Sequence, residues 1–131
     1  ESVLANPDAS PEELFEAAAL LEKVPTVPGI PSSIVVESQL KRAEALRRAG
    51  EKATARRTAW ESIEPFLTDR DPKDTSLAFW LSKTLLELSI WNAADGRPDE
   101  AARLLEIIDT LDLPGEEVAR AKLRVLESPN T

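Results

Sequence analysis

The most concentrated charge in this sequence lies between residues 41 and 57. Seven basic residues occur in this segment with two acidic ones, which are Glu44 and Glu51. The basic residues are Lys41, Arg42, Arg47, Arg48, Lys52, Arg56 and Arg57. Arginine forks pair well with carboxylate and phosphate groups, so the segment is compatible with a surface that docks an acidic peptide or phosphate groups. The pattern favours a solvated helix face over such a site, and Lys41, Arg47, Arg48, Arg56 and Arg57 are the candidate partner-binding residues.

The charge of the whole chain argues against nucleic acid as the partner. The net charge is −8, from 16 basic and 24 acidic residues, although segment 41–57 alone carries +5 (7 − 2). The other 114 residues therefore carry −13 and would repel phosphates, and no aromatic residue interrupts the basic segment. We expect a protein or peptide partner and no binding to nucleic acid.

The residue types that catalysis uses most often are missing. The chain has no cysteine, histidine or tyrosine, which leaves carboxylates, Lys, Arg, Ser and Thr for any chemistry. Paired carboxylates such as Glu12/Glu13, Asp99/Glu100 and Glu116/Glu117 fall in predicted first turns of helices, where the helix dipole already favours them. No P-loop, dinucleotide fingerprint or zinc-ligand spacing is present. We therefore expect no enzyme activity, no cofactor and no metal; an enzyme that relies on carboxylates is the weakest alternative.

A long predicted helix, residues 71–95, carries the remaining candidate site residues. Asp71-Pro72 predicts its start and Gly96 its end. Lys83, Glu87 and Asn92 are polar positions on this helix and are further candidates for contact with a partner.

Apolar residues mark two faces of the same helix. One stripe contains Leu77, Trp80, Leu81, Thr84, Leu88 and Trp91, and the opposite side contains Phe79, Leu86, Ile90 and Ala93. Two such faces predict that helices cover both sides. Trp80 and Trp91 are eleven residues apart and share one azimuth, which suits either core packing or a stacking surface for a ligand.

Helical periodicity and helix-ending residues predict an all-α fold. The predicted helices span residues 10–23, 32–49, 51–67, 71–95, 98–111 and 116–127, after a half-turn that Pro7 ends. Three prolines make residues 24–31 a non-helical connector, and residues 128–131 form a tail. The short loops favour about six helices in antiparallel hairpins, within one domain that covers residues 1–131.

The short turns recur along the chain at residues 9, 50 and 96, which are 41 and 46 residues apart. The last hairpin resembles tetratricopeptide repeats in its large apolar residues, turn glycine, small alanine and final proline. These residues are Leu85, Leu88, Gly96, Ala101, Leu105, Ile108 and Pro114. The resemblance implies a right-handed superhelix of hairpins that serves as a scaffold for peptides or subunits; an irregular six-helix bundle is the alternative.

These observations together predict a non-catalytic protein-interaction module. The alternative is an accessory helical domain of a larger enzyme or cell-envelope protein. A chain that starts at Glu1 and contains no methionine is expected to be a fragment or mature part of a longer one. No apolar run approaches the roughly 20 residues of a membrane span, so none is expected. The absence of cysteine is compatible with both the cytoplasm and the periplasm or cell envelope.

Overall fold

A computed structural model describes residues 2–111 and residue 113, and every regular element in them is helical. Five helices of at least 12 residues follow a short first helix. The elements are α1 (Ser2–Ala5), α2 (Pro11–Glu22), α3 (Ser32–Arg48), α4 (Lys52–Thr68), α5 (Thr75–Ala94) and α6 (Pro98–Thr110). The all-α prediction is confirmed for this part of the chain. The predicted helix at residues 116–127 and the tail at residues 128–131 lie outside the described residues.

The start of α2 is set by a reciprocal pair of hydrogen bonds. The amide of Glu13 donates to Ser10 Oγ at 3.2 Å, and the amide of Ser10 donates to Glu13 Oε1 at 2.8 Å. Pro11 follows Ser10 at the first helical position, where its missing N–H costs nothing. These two bonds form a capping box, which fixes the direction in which α2 leaves the preceding turn.

The start of α5 was predicted three residues too early. Residues 71–74 form a turn, in which the amide of Asp74 donates to the carbonyl of Asp71 at 3.0 Å. The Asp71 side chain also accepts the amide of Lys73 at 2.9 Å, so Asp71 stabilises the turn. Asp74 is the N-cap instead, since its Oδ1 accepts the amide of Leu77 at 3.0 Å.

The proline-rich connector contains one helical turn that the sequence did not predict. Val24–Thr26 is a 3₁₀ helix, closed by the amides of Thr26 and Val27, each 3.1 Å from the carbonyl oxygen three residues earlier. Pro25 lies at a position where no backbone donor is needed, so it is compatible with this turn.

The chain forms two compact units, Glu1–Glu64 and Pro65–Thr131, and α4 runs from the first into the second. In unit 1, α2 and α3 pack together and α1 packs on α2. One core cluster of this unit consists of Leu14, Ala18 and Ala45, with Leu4, Ala9, Leu46 and Ala49 packed against it. In unit 2, α5 and α6 pack as an antiparallel hairpin. A single domain that covers both units stays a prediction.

Two of the predicted turns, one in each unit, have the same backbone geometry. Gly50 and Gly96 both adopt left-handed φ angles, of 99° and 76°. In each turn the glycine amide donates three residues back and the next amide donates five residues back, as in a Schellman motif. The bonds are Gly50 to Arg47 (3.0 Å), Glu51 to Leu46 (2.9 Å), Gly96 to Ala93 (3.3 Å) and Arg97 to Asn92 (2.8 Å). Ala55 and Ala101, five residues after the two glycines, are both buried.

Large apolar residues on α2 and on α5 are partly open to solvent. On α2, Phe15 is 43% and Leu20 is 68% exposed, so that helix is buried on one side only. On α5, Leu77, Leu81 and the rest of the first stripe are buried or partly buried, but Phe79 on the opposite side is 52% exposed. The prediction of two covered faces is therefore wrong for Phe79. Periodicity records which residues are apolar, and it does not record whether a neighbouring helix reaches them.

Candidate functional site

The basic residues of α3 are largely bound to other parts of unit 1. Lys41 Nζ lies 3.0 Å from Glu37 Oε2, one helical turn earlier. Arg42 donates to Gln39 Oε1 at 3.0 Å and lies 3.8 Å from the carboxylate of Glu22 on α2. A partner would have to displace these contacts, so neither residue presents an unused cation.

Arg48 connects α3 to the end of α1. Its Nη1 donates to the carbonyl oxygen of Leu4 at 2.7 Å, and its Nη2 donates to the carbonyl oxygen of Asn6. The last carbonyl groups of a helix lack hydrogen-bond partners within the helix. A guanidinium at that end donates to them, and its positive charge interacts favourably with the negative end of the helix dipole. Arg48 thus has a structural function that the basic-surface prediction did not include.

The remaining candidates of the basic segment differ in exposure. Arg47 and Arg56 are partly buried and both have polar or electrostatic partners. Arg57 is exposed and has no hydrogen-bond or ion-pair partner among residues 2–111. It is the candidate of this segment with an unused guanidinium.

Arg57 lies at a polar pocket of about 370 Å³ in unit 1. The pocket is lined by Gln39, Arg42, Thr54, Arg57, Thr58, Glu61 and Ser62. Thr54, Thr58 and Ser62 follow one another at intervals of four residues, which places their hydroxyls along one face of α4. Ser62 already donates to the carbonyl of Ala59 at 2.7 Å, and the carboxylate of Glu61 offsets one of the two arginines. The pocket is a polar surface of mixed charge and not a concentrated cationic site.

The three candidates on α5 belong to unit 2 and have different environments. Lys83 is exposed and Glu87 is partly buried. Asn92 is only 3% exposed; its Nδ2 donates to the carbonyl of Leu88 at 2.7 Å, and its Oδ1 accepts Arg97 Nε at 3.0 Å. Both polar groups of the Asn92 side chain are thus used to hold the end of α5 and the turn after it.

The tryptophans of α5 do not form an open stacking surface along the helix. Trp91 is buried, whereas Trp80 is partly buried and meets Phe79 edge to face, with ring centroids 5.2 Å apart and an interplanar angle of 86°. Trp91 is therefore a core residue, and in the pair of Phe79 and Trp80 the Phe79 ring is the more exposed to solvent.

An apolar groove in unit 1 was not predicted. It has a volume of about 300 Å³ and is lined by side chains of α1, α2 and α3. The lining residues are Leu4, Glu13, Glu16, Ala17, Leu20, Leu21 and Lys41. Leu20 is the most exposed of the large apolar residues that the structure describes, at 68%.

Local sequence explains why α2 leaves this groove open. Three consecutive alanines, Ala17, Ala18 and Ala19, place small side chains in the middle of α2, while Leu20 and Leu21 follow with large ones. Ala17 and Ala18 are buried against the rest of unit 1, and Leu20 projects beyond them. Leu20 borders the apolar stripe of α2, so helical periodicity alone does not distinguish it from a buried residue.

The negative charge of α2 is the feature of the sequence that could have indicated this groove. Its 12 residues include four glutamates and no basic residue. The glutamates are Glu12, Glu13, Glu16 and Glu22. Glu12 and Glu16 are exposed and have no ion-pair or hydrogen-bond partner in the part of the chain that the structure describes. Glu13 and Glu16 line the groove beside Leu20, so the exposed apolar surface at Leu20 has a negative border.

The described residues contain no group of three or more Asp and Glu side chains arranged to hold a metal ion. Within residues 2–111, no helix combines the length and apolar character that a membrane span requires. Comparison of the chain with protein-family profiles, with curated proteins and with solved structures finds no match.

Proposed function

We propose that this chain is a non-catalytic protein-interaction module whose apolar groove on α2 binds a peptide or subunit of a partner protein. The observation that carries the proposal is the groove itself, with Leu20 68% exposed at its edge. An isolated exposed leucine is ordinary on a protein surface. Leu20 instead adjoins a concave apolar lining, which is the usual form of a site for an anchoring side chain of a partner.

The energetics of the groove favour binding through burial. Covering a leucine side chain completely stabilises a complex by roughly 1.5 to 3 kcal/mol, which is about a fifth to a third of the free energy of a micromolar interaction, about 8 kcal/mol. Phe15, which is 43% exposed, precedes Leu20 by five residues, so it lies about 140° away around α2 and does not line the groove.

The proposed architecture is a tetratricopeptide-like array of hairpins. Its support is the equivalence of the turns at Gly50 and Gly96, 46 residues apart, and of the buried alanines at positions 55 and 101 with the same spacing. In such an array a small residue after the turn lets the second helix of each hairpin approach the first. Arrays of this kind bury each hairpin against the next and present one extended surface to partners.

The proposed function is tested by capture from extracts of the source cells, followed by direct binding. The wild-type chain, L20Q and the control variant F79Q would be immobilised, and proteins retained by the wild type would be purified. Their binding would then be measured by calorimetry. We expect binding to the wild type and to F79Q, with loss of at least about tenfold in affinity for L20Q. Equal binding to all three variants would contradict the assignment of the groove.

A further inference from the structure

We propose that the groove on α2 binds the apolar face of a basic amphipathic helix. The inference rests on the proposed function, because it names the class of partner that the same groove accepts. Helix-in-groove recognition places large apolar side chains at intervals of three and four residues into a hydrophobic groove. The groove of about 300 Å³ is a suitable size for such anchors.

The charge around the groove selects a basic helix over an acidic one. Glu13 and Glu16 line the groove itself, and Glu12 lies one turn before Glu16 on α2. Glu13 accepts the amide of Ser10 through Oε1, which leaves the second carboxylate oxygen for a partner. Lysine or arginine residues that flank the apolar anchors of a partner helix can pair with Glu12, Glu13 and Glu16. An acidic helix would meet carboxylates of the same sign.

Lys41 does not reverse this preference. It is the basic residue in the lining, and its ammonium group is paired with Glu37 at 3.0 Å on its own helix. Its charge is therefore compensated within α3, whereas Glu12 and Glu16 are uncompensated among the residues described. The border that a partner meets is negative on balance.

Charge also argues against a second copy of this chain as the occupant. In a symmetric dimer built on this groove, each α2 with its four glutamates would meet the α2 of the other copy. Each chain carries −8 in total, so the two copies repel over longer distances as well. A separate basic partner has neither disadvantage.

The inference can be tested with designed peptides of 18 residues, acetylated and amidated, made of Leu, Ala and Lys. Leucines repeat at intervals of three and four in the basic peptide. An acidic peptide replaces every Lys by Glu, and a scrambled peptide keeps the basic composition but has no apolar face. Binding of each fluorescently labelled peptide to the chain would be followed by anisotropy at low and moderate salt. Sedimentation equilibrium of the free chain would accompany the titrations.

Two variants and two matched controls separate the apolar and the charged contributions. L20Q removes the anchor contact, with F79Q as a control at another exposed apolar residue. E16Q removes one charge at the groove. Its control is E106Q, at an exposed glutamate of α6, because the two variants have the same net charge. These sites are exposed, so the variants should unfold at nearly the wild-type temperature.

We expect the basic amphipathic peptide to bind most tightly. L20Q should weaken it by about tenfold or more and E16Q by about two- to fivefold, while F79Q and E106Q leave affinity unchanged. The effect of E16Q should shrink at higher salt, because screening weakens interactions between exposed charges.

Several results would overturn the inference, and they distinguish it from the proposed function. Tighter binding of the acidic peptide with dependence on Leu20 would reject the basic helix but keep the groove as a binding site. Equal binding of the scrambled peptide, or no effect of L20Q on the basic peptide, would reject the inference. A dimer of the free chain that L20Q dissociates would show that a second copy occupies the groove. If the partner captured from source cells also bound L20Q as tightly as the wild type, both the inference and the proposed function would be rejected.

Discussion

The guanidinium of Arg48, near the end of α3, donates a hydrogen bond of 2.7 Å to the carbonyl oxygen of Leu4, 44 residues earlier in the chain. A second bond from the same side chain reaches the carbonyl of Asn6. Leu4 lines the apolar groove and packs against the core cluster of unit 1. Arg48, the last residue of α3, therefore holds Leu4 and with it one wall of the proposed binding site in place.

Replacement of Arg48 by alanine should loosen α1. We expect R48A to lower the free energy of unfolding by about 1 kcal/mol, since hydrogen bonds from a charged donor to carbonyl oxygens are lost at an exposed site. Urea denaturation would measure the change, and amide hydrogen exchange would locate it at residues 2–6. R57A is the matched control, because Arg57 is exposed and has no partner in residues 2–111; its effect should stay within about 0.5 kcal/mol. Equal stability of R48A and R57A would show that the Arg48 contacts contribute nothing.

The two glycine turns should respond alike to the same substitutions. At Gly50 and Gly96 an added Cβ meets no atom within 4 Å, so any cost of alanine comes from the left-handed backbone alone. G50A and G96A should each lower the free energy of unfolding by about 1 kcal/mol, and G50N and G96N by clearly less, because asparagine tolerates this conformation. Thermal unfolding of the four variants would measure this. A large cost at one turn and none at the other would contradict the equivalence of the two hairpins.

Removal of a buried hydroxyl from α5 should stabilise unit 2. Thr84 is fully buried, and its Oγ1 has no hydrogen-bond partner among the described residues. Valine has nearly the same shape, so T84V should raise the free energy of unfolding by about 1 kcal/mol.

Ser89 on the same helix provides the contrast to Thr84. It is also buried, but its Oγ donates to the carbonyl of Leu85 at 2.9 Å. S89A should therefore leave stability unchanged or lower it by up to about 1 kcal/mol. Guanidinium titrations of T84V and S89A would measure whether each substitution raises or lowers the free energy of unfolding. Destabilisation by T84V would mean that this hydroxyl has a partner.

The capping box of α2 should contribute to stability and have little effect on binding. S10A removes the acceptor of the Glu13 amide and should cost about 1 kcal/mol, whereas S10D, which keeps an acceptor, should cost much less. Glu13 lines the groove and accepts the backbone amide of residue 10, which S10A retains, so affinity for a basic helix should change by less than about twofold. Denaturation and anisotropy on the same samples would separate the two effects. A loss of affinity as large as that of L20Q would contradict the assignment of Leu20 as the anchor.

Much of the helical architecture was predictable because local residues determine where helices begin and end. Ser10 with Glu13, Gly50 and Gly96 act through hydrogen bonds to residues at most five positions away, and sequence shows them directly. The start of α5 was wrongly predicted at Asp71 because Asp71 and Asp74, three residues later, are equally good N-cap residues. Which aspartate caps a helix depends on where the preceding turn closes.

The site was less predictable because it depends on contacts between distant residues. The basic segment 41–57 looked like one surface, but Arg48 reaches Leu4 and Arg42 approaches Glu22, and neither pairing is visible along the sequence. The groove at Leu20 exists because no other part of the described chain covers the outer side of α2. Spacing alone could not show this, since Leu20 has the same periodicity as a core residue.

The most direct test of the central claim is methyl NMR of the chain with labelled leucines during titration with the captured partner. The claim that the α2 groove is the binding site predicts large shifts for the methyls of Leu4, Leu20 and Leu21, which line it, and none for Leu77 and Leu81 in the core of unit 2. Shifts confined to unit 2, or unchanged methyls of Leu20 in the saturated complex, would contradict it.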